Sequence, residues 1–314
     1  MELTTIAKRN NPFRKLGGKI MRSKYLILMI IPAIIFYIIF CYVPMYGILI
    51  AFQDYFPKRG VFGSEWVGFA NFAKVFKETK FWLAFKNTLI ISSIKIVISF
   101  LGAVTIALLL NEIRMRRVKK TVQTIVTFPH FLSWVVVSGF VFSLFAGSGA
   151  VNSIIKIFGG ESIDFLADKG FFFGMVFSSD IWKEAGWGSI IYLATMAGIP
   201  QDQYEAADID GATRLQKIWH ITLPGIKPVA ILLLIMSVGG VLSAGFDQIL
   251  NLGNNPIIRE DVNIIDTYIY YHAIEKSGNE GIGTAIGLFK SVISFTLVII
   301  VDRIAKACGE RGII

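Results

Sequence analysis

The sequence predicts an all-α membrane protein in which six helices cross the bilayer. Only 17% of its 314 residues are charged, whereas soluble domains contain roughly 25%. Hydrophobic residues make up 54% of the chain, and its mean hydropathy is +0.62. These residues gather in runs of about 20, which match a hydrocarbon layer about 30 Å thick because an α-helix rises ~1.5 Å per residue. The three observations together exclude an ordinary soluble domain.

Six stretches with few charges are the predicted spans. They cover residues 25–52, 88–110, 121–145, 172–197, 229–250 and 284–304. The third span contains Pro129 and His130 but is otherwise mostly apolar. The fourth is the least uniform, because Asp180, Lys183 and Glu184 interrupt it. Prolines and glycines within spans are tolerated where neighbouring helices satisfy the freed backbone groups.

The distribution of basic residues predicts the orientation of the chain. Seven lysines and arginines precede the first span, and five more lie in the short segment 111–120. Such residues are enriched on the cytoplasmic side of membranes, and they account for the net charge of +9 without a nucleic-acid partner. We therefore expect a cytoplasmic tail at 1–24, a six-span domain at 25–304 and a second cytoplasmic tail at 305–314.

The predicted cytoplasmic loop 201–228 contains signals for two short helices. After Pro200, the first helix has Glu205 near its N-terminus, where the helix dipole favours an acidic residue. Gly211 suits a left-handed C-terminal stop, and Pro224 is expected to end the second helix before the next span. Helices this short are marginal in isolation, so we expect the loop to dock on a partner.

Nine residues of this loop form a spaced pattern. They are Glu205, Ala206, Ala207, Asp210, Gly211, Ala212, Ile221, Leu223 and Pro224. Their order and spacing resemble the EAA loop of binding-protein-dependent ABC importer permeases. The resemblance implies a type I importer permease with six transmembrane helices, in which this loop forms a coupling helix that sits in a cleft of a cytoplasmic ATPase. It also implies that eight of these residues, all except Ile221, contact or shape that joint.

Other segments resemble the sugar branch of these permeases. They are residues 42–47, 66–72, 87–88, 246–249, 265–268 and 285–291. The last three look most like the subgroup importing complex oligosaccharides, which includes lipoprotein-assisted permeases for polygalacturonate, rhamnogalacturonan and alginate fragments. The resemblance implies a multi-pass protein of the bacterial cell membrane. Its implied partners are a second homologous permease, two copies of a cytoplasmic ATPase and an extracellular solute-binding lipoprotein.

The resemblance further implies that ATP and Mg²⁺ bind the partner ATPases and not this chain. The sequence agrees, because it contains no GxxxxGK[ST] phosphate-binding loop and no HExxH zinc motif. Its two cysteines, Cys41 and Cys308, have no metal-ligand spacing. We therefore expect a non-catalytic subunit with no catalytic residue, no metal site and no cofactor of its own.

Polar residues within and beside the spans are the candidates for a substrate path, because a charge inside a bilayer is costly and usually functional. The candidate set is Lys95, Ser99, Trp182, Trp187, Asp247, Gln248 and Lys290. Lys95 and Lys290 lie at similar predicted depths on small-polar helix faces, so both are expected to line a cavity that meets sugar hydroxyls or carboxylates. Alternatively, the lysines extend to the interface, Lys183 pairs with Glu184, and the tryptophans mark the membrane surface.

Three other functions stay open from the sequence. An ion-coupled secondary sugar carrier would need an ion-binding carboxylate in the membrane, for which Asp247 and Glu184 are the candidates. A membrane-embedded enzyme would need motifs that the sequence lacks. A structural or sensory membrane subunit would need neither feature.

Overall fold

The computed structural model of the chain describes residues 24–275 and 280–307, which are largely helical. The predicted tail up to residue 23, and residues 308–314 with Cys308, lie outside the described residues. The α-helices are α1 (Lys24–Tyr37), α2 (Gly60–Gly63), α3 (Ala70–Lys77), α4 (Thr79–Glu112), α5 (Arg116–Thr127), α6 (Trp134–Phe145), α7 (Ala150–Ile157), α8 (Lys169–Ala197), α9 (Gln201–Ile209), α10 (Arg214–Lys217), α11 (Leu223–Gly239), α12 (Phe246–Leu252), α13 (Arg259–Val262), α14 (Ile265–Ile269) and α15 (Glu280–Ala307).

Short segments of other geometry join these helices. The 3-10 segments are Val43–Phe52, Phe128–Phe131 and Phe165–Ala167, and the π-helical segments are Ile38–Tyr42, Ile218–Thr222 and Tyr270–Ile274. A two-residue antiparallel ladder pairs β1 (Gln53–Asp54) with β2 (Glu65–Trp66) after the first long helix. The buried Asn71 amide anchors this hairpin, donating to the carbonyls of Ala51 (3.0 Å) and Gln53 (2.9 Å).

Five helical stretches in residues 24–275 and 280–307 are long and apolar enough to cross a bilayer. They are Leu28–Phe52, Thr79–Glu112, Trp134–Ile157, Arg214–Gly239 and Glu280–Ala307. Helix α8 has 29 residues, which is also sufficient length, but it carries the charges of Asp180, Lys183 and Glu184. The structure therefore confirms an all-α membrane fold, and the sixth crossing by α8 stays a prediction.

The core lies where α8 packs against α4. Small residues allow the close approach, as is common between membrane helices: a Cβ added at Gly102 would lie 3.1 Å from the Ala185 Cβ. A neighbouring apolar cluster includes Ala107, Tyr192 and Ile226, and thereby joins α11 to the same pair. The first long helix, Leu28–Phe52, is different, because Ala51 near its end is its one buried residue. Helix α8 is thus the central element of the described bundle.

The predicted third span, 121–145, is wrong as one continuous helix. Helix α5 ends at Thr127, a 3-10 turn follows, and Leu132 is extended before α6 begins. Pro129 lies in that turn and has no N–H to continue an α-helix. The Ser133 hydroxyl caps α6 by accepting from the Val136 N–H. The stretch with the length and composition for a crossing is instead Trp134–Ile157, which includes α6 and α7.

Two predicted helix ends near the fifth span, 229–250, were also wrong. They are the end at Pro224 and the end of the span at residue 250. Pro224 does not end a helix, because the π-helical segment Ile218–Thr222 precedes it and lets the helix run on to Gly239. A π turn is a common way for a helix to absorb such a local disruption. The chain then leaves helical geometry until Gly245, whose φ of +92° is left-handed, and α12 follows.

Candidate functional site

The loop with the EAA pattern begins with helix α9, which ends at Ile209, two residues before Gly211. Gly211 has φ +74°, and its N–H donates to the Asp208 carbonyl at 3.2 Å. The Ala212 N–H donates to the Ala207 carbonyl at 2.8 Å. These two bonds form a Schellman motif, in which a left-handed residue, usually glycine, closes the helix. The predicted left-handed stop at Gly211 is confirmed, and the motif fixes the end of α9.

The surface of this loop is strongly exposed. Glu205, Ala206, Asp210, Gly211 and Pro224 are exposed, whereas Ala207, Ala212 and Leu223 are half-buried. Three apolar side chains beside them are also uncovered: Ile209 is 87% exposed, Leu215 69% and Trp219 67%. Apolar groups collected in this way on one loop mark an interaction surface.

Two side-chain contacts tie α9 to the start of the following long helix. The Tyr204 hydroxyl lies 2.9 Å from the Thr222 hydroxyl, and Lys217 pairs with Asp208 at 2.6 Å. A capping box at Thr213 and Gln216 begins that helix immediately after the glycine. These contacts join α9 to the helix that continues to Gly239.

A cavity of about 650 Å³ opens between α4, α8 and α11. Its polar lining comes from Ser92, Lys95, Ser99, Asp180, Glu184, Tyr192, Ser237 and Ser243. Phe100 and Trp134 contribute aromatic surface, and Gly240 to Gly245, after the end of α11, closes one side. Of the residues predicted to form the substrate path, Lys95 and Ser99 line this cavity.

The Lys95 ammonium is held by three acceptors. It lies 2.9 Å from Asp180 Oδ1 and 3.1 Å from the Ala244 carbonyl, and it donates to Gln248 Oε1. The Lys95 and Asp180 side chains are 12% and 10% exposed. Gln248 is fully buried, and its amide donates to the Val176 carbonyl at 2.8 Å. Gln248 thus supports Lys95 from behind the cavity wall.

A second charged group lies further along α8. Glu184 pairs with Lys183 at 3.0 Å and with His130 Nδ1 at 2.7 Å. The Lys183 ammonium also donates to the His130 carbonyl at 2.7 Å. The Trp187 ring stacks on the His130 ring with their centroids 4.4 Å apart. The sequence-based alternative that Lys183 pairs with Glu184 is confirmed.

The remaining predicted path residues lie elsewhere. Lys290 pairs with Asp266 at 2.5 Å and does not belong to the lining of this cavity. Trp182 and Trp187 are 51% and 45% exposed outside it, and Asp247 is exposed near the start of α12. The expectation that both lysines face one cavity is therefore wrong for this cavity. Spacing along one helix does not determine which way its polar face points, because that direction depends on packing between helices.

Sequence reasoning missed the partners of Lys95, Lys290 and His130. Asp180 and Asp266 each compensate a lysine, and His130 shares Glu184. A signal was available, since a charge inside a span is expected to have an opposite partner. In the described part of the chain, no group of three or more histidine, cysteine, aspartate or glutamate side chains could hold a metal ion.

Comparisons with known proteins identify the family. Residues 100–310 match the model of the "binding-protein-dependent transport system inner membrane component" family. The chain is 45% identical over 301 residues to the polygalacturonan/rhamnogalacturonan transport system permease protein YteP of Bacillus subtilis, covering 96% of this chain and 93% of that protein. It is 42% identical over 293 residues to the protein LplB of the same species, covering 93% and 92%.

A solved structure agrees over the whole fold. The chain superposes with a TM-score of 0.85 and 36% identity on a chain of a bacterial alginate ABC transporter, solved in complex with an alginate pentasaccharide-bound periplasmic protein. The match covers 95% of this chain and 100% of that one. This chain thus resembles the alginate transporter chain in both sequence and structure over almost its whole length. The chain belongs to the binding-protein-dependent transport system inner membrane component family, the membrane-spanning permeases of ABC transporters.

Proposed function

We propose that this chain forms half of the membrane pore of an ATP-driven importer that translocates an oligosaccharide. A second homologous permease completes the pore, two copies of a cytoplasmic ATPase dock beneath it, and an extracellular binding lipoprotein delivers the sugar. Both termini of the chain lie in the cytoplasm. The names of the similar proteins support this proposal, since they refer to polygalacturonan, rhamnogalacturonan and alginate transport.

The observation that carries the proposal is the exposed helix α9 with its fixed end. Its Schellman motif holds Gly211 and Ala212 in one arrangement, and Ile209, Leu215 and Trp219 beside it are uncovered. This combination provides a rigid, partly apolar surface at a cytoplasmic loop. Such a surface is expected where another subunit docks and transmits its movement to this chain.

The contacts of α9 provide a path from that joint to the cavity. Tyr204 and Asp208 hold α9 to Thr222 and Lys217. The helix that starts there continues to Gly239, and its Ser237 lines the cavity. When the ATPases close on ATP, they push α9, and the movement of this helix rocks the pore between inward-facing and outward-facing states.

In this proposal the chain itself carries out no catalysis. ATP and Mg²⁺ bind the ATPase subunits, and the permease holds no cofactor. Its residues bind and guide the sugar and transmit movement. Asp180 and Glu184 of α8 line the cavity and, through their ion pairs, hold α8 to neighbouring elements.

The alternative of an ion-coupled carrier has less support. Such a carrier needs an intramembrane carboxylate that is available to an ion. Asp180 is paired with Lys95, Glu184 is paired with both Lys183 and His130, and Asp247 is exposed. Transport that persists without ATP hydrolysis but collapses with an uncoupler would favour this alternative.

The substitution Gly211→Asp tests the coupling role. It adds a carboxylate beside Asp208 and Asp210 on the docking surface, so we expect normal membrane insertion but loss of sugar-stimulated ATPase activity and uptake. Gly159→Asp is the matched control, because Gly159 also has positive φ, +80°, with open space around it, but lies in the loop after α7. If Gly211→Asp retained wild-type uptake and ATPase activity, the proposed joint would be wrong.

A further inference from the structure

We propose that a groove along α5 binds a carboxylated part of the transported sugar as it leaves the membrane. The inference rests on the proposed function, because it takes the transported molecule to be an oligosaccharide. The groove has a volume of about 350 Å³, at the lower end of the ~300–1,000 Å³ of small-molecule sites, so it holds only part of a chain of sugars. Its lining includes Lys120, Gln123 and Thr124 of α5, Phe128 and Phe131 of the following 3-10 turn, and Ile190 of α8.

The groove starts at the end of the bundle that carries the EAA loop. Arg114, two residues before α5, lines a polar pocket together with Tyr204 and Asp208 of α9. Helix α5 begins at Arg116, so its first turns, which include Lys120, extend from that same end. In the proposed function this end is cytoplasmic, and a sugar that leaves the pore passes it.

Helix α5 exposes two faces of opposite character. Lys120 and Thr124 share one face with Arg116, because residues four and eight positions apart lie on the same side of a helix. Val118 and Ile125 lie on the opposite face and are 42% and 64% exposed. The apolar face suits contact with lipid, whereas a basic, polar face on a helix of a membrane bundle is expected to line water. The groove therefore opens on an aqueous path.

The cationic groups of the polar face have no acidic partner. Arg116 and Lys120 form no ion pair with any residue in 24–275 and 280–307. By contrast, Lys95, Lys183 and Lys290 in the long helices are each paired with a carboxylate. The groove thus offers positive charge that is available to a sugar carboxylate, and a hydrogen bond between two ionised groups is stronger than one between neutral groups.

The rest of the groove suits the hydroxyl groups and ring faces of a sugar. The Gln123 amide makes no hydrogen bond within the described part of the chain, so its donors and acceptor are free. The Thr124 hydroxyl donates to the Lys120 carbonyl at 2.9 Å and still has lone pairs that can accept. Phe128 and Phe131 are 61% and 69% exposed, and aromatic surface of this kind is common in ligand sites.

The test measures occupancy of the groove locally and without ATP turnover. The complete complex with its permease and ATPase partners would carry Ile190→Cys on the groove wall, with Cys41 and Cys308 replaced by serine. The probes are an oligouronate and the same oligosaccharide with its carboxyl groups reduced to hydroxymethyl. We expect a maleimide to label the cysteine without sugar. The oligouronate should protect it at a concentration lower than the reduced probe by about tenfold or more, because the reduced probe lacks the charged hydrogen bond.

Four variants connect this preference to the residues. Lys120→Gln should lower the preference for the oligouronate by about tenfold and leave protection by the reduced probe unchanged. Lys120→Arg should keep the preference. Arg114→Gln removes the same charge outside the groove lining and should not alter the preference. Phe131→Ala should weaken protection by both probes to the same extent, because it removes ring surface and no charge.

Two other occupants of the groove would give different results. An anionic-lipid site would protect the cysteine without sugar in nanodiscs that contain phosphatidylglycerol, and not in nanodiscs of phosphatidylcholine alone. A groove covered by the partner permease would leave the cysteine unreactive in the assembled complex and reactive after denaturation. Either result would overturn the proposal.

The proposal is also wrong if the reduced probe protects equally or better, if neither probe protects, or if Lys120→Gln leaves the preference unchanged. ATP-driven uptake of the oligouronate by the same complex in proteoliposomes, measured in parallel, tests the proposed function separately. Uptake without protection would contradict the groove alone. Protection without uptake would support the groove and contradict the proposed function.

Discussion

Lys95 carries its charge inside a membrane span because acceptors surround its ammonium group. Asp180 supplies the opposite charge, and the Ala244 carbonyl and Gln248 complete the shell. Gly245 makes room for this arrangement, since a Cβ at that position would lie 2.8 Å from Lys95 Nζ. The break after α11 therefore supports Lys95, because Gly245 leaves space for its ammonium group and the Ala244 carbonyl accepts a hydrogen bond from it.

Removing one member of this pair should destabilise the bundle more than removing both. Asp180→Leu leaves a largely buried cation, which costs about 3–5 kcal/mol in comparable cases. The double variant Lys95→Met with Asp180→Leu removes both charges and should recover much of that loss. Thermal unfolding of the purified complex measures the difference. If the double variant unfolds at the same or a lower temperature than Asp180→Leu alone, the pair does not act as described.

For single residues, the sequence was sufficient to predict only part of the cavity lining. Lys95 and Ser99 were predictable because polar residues at helical spacing in an apolar span indicate a cavity face. The role of Gln248 was not, since it was expected to meet substrate and instead lies fully buried behind Lys95. Its contacts depend on the break in helical geometry between α11 and α12. Periodicity within one helix contains no information about how the chain continues after such a break.

Helix α8 shows how single glycines set the packing of whole elements. At Gly186 the backbone approaches α5 so closely that an added Cβ would lie 1.9 Å from the Val126 carbonyl oxygen. Backbone atoms cannot move aside as a flexible side chain can. The same approach brings the turn with His130 over Glu184 and Trp187. The contacts of His130 with Glu184 and Trp187 therefore depend on the absence of a side chain at Gly186.

Gly186→Ala should accordingly separate α8 from α5 and lower the amount of folded complex that can be purified. Gly174→Ala is a control on the same helix, because no described atom lies within 4 Å of the Cβ it would add. That control should be neutral or stabilise by up to ~1 kcal/mol, given the helix propensities of the two residues. Yield after gel filtration and thermal unfolding compare the two variants. Equal behaviour of both would contradict the close contact.

The helix breaks explain why element boundaries were predicted less well than element existence. Every predicted span overlaps a helix, but Pro129 interrupts one, and the segment Gly240 to Gly245 interrupts another. Pro224 interrupts none, because a π-helical segment precedes it. In a membrane, neighbouring helices decide whether a proline or glycine breaks a helix. Such decisions depend on contacts between elements, and the residue type alone does not determine them.

In the proposed function, the whole molecule combines a cavity between membrane helices with a coupling loop on the cytoplasmic side. Composition and apolar run length were enough to predict the all-α membrane class, and the EAA pattern was enough to indicate the family. The first long helix, Leu28–Phe52, is apolar on all sides, and only Ala51 near its end is buried. A helix of this kind needs lipid or another membrane subunit around it. This exposure agrees with a chain that provides only half of a pore.

The most direct measurement of the central claim is a cross-link from α9. Ala206→Cys would be introduced with Cys41 and Cys308 replaced by serine, and native membranes would be treated with a short bifunctional reagent. We expect a product joining this chain to an ATP-hydrolysing protein. Ser162→Cys, in the loop between α7 and α8, should give no such product. Failure of position 206 to cross-link to any ATPase, with the protein inserted and abundant, would contradict the account.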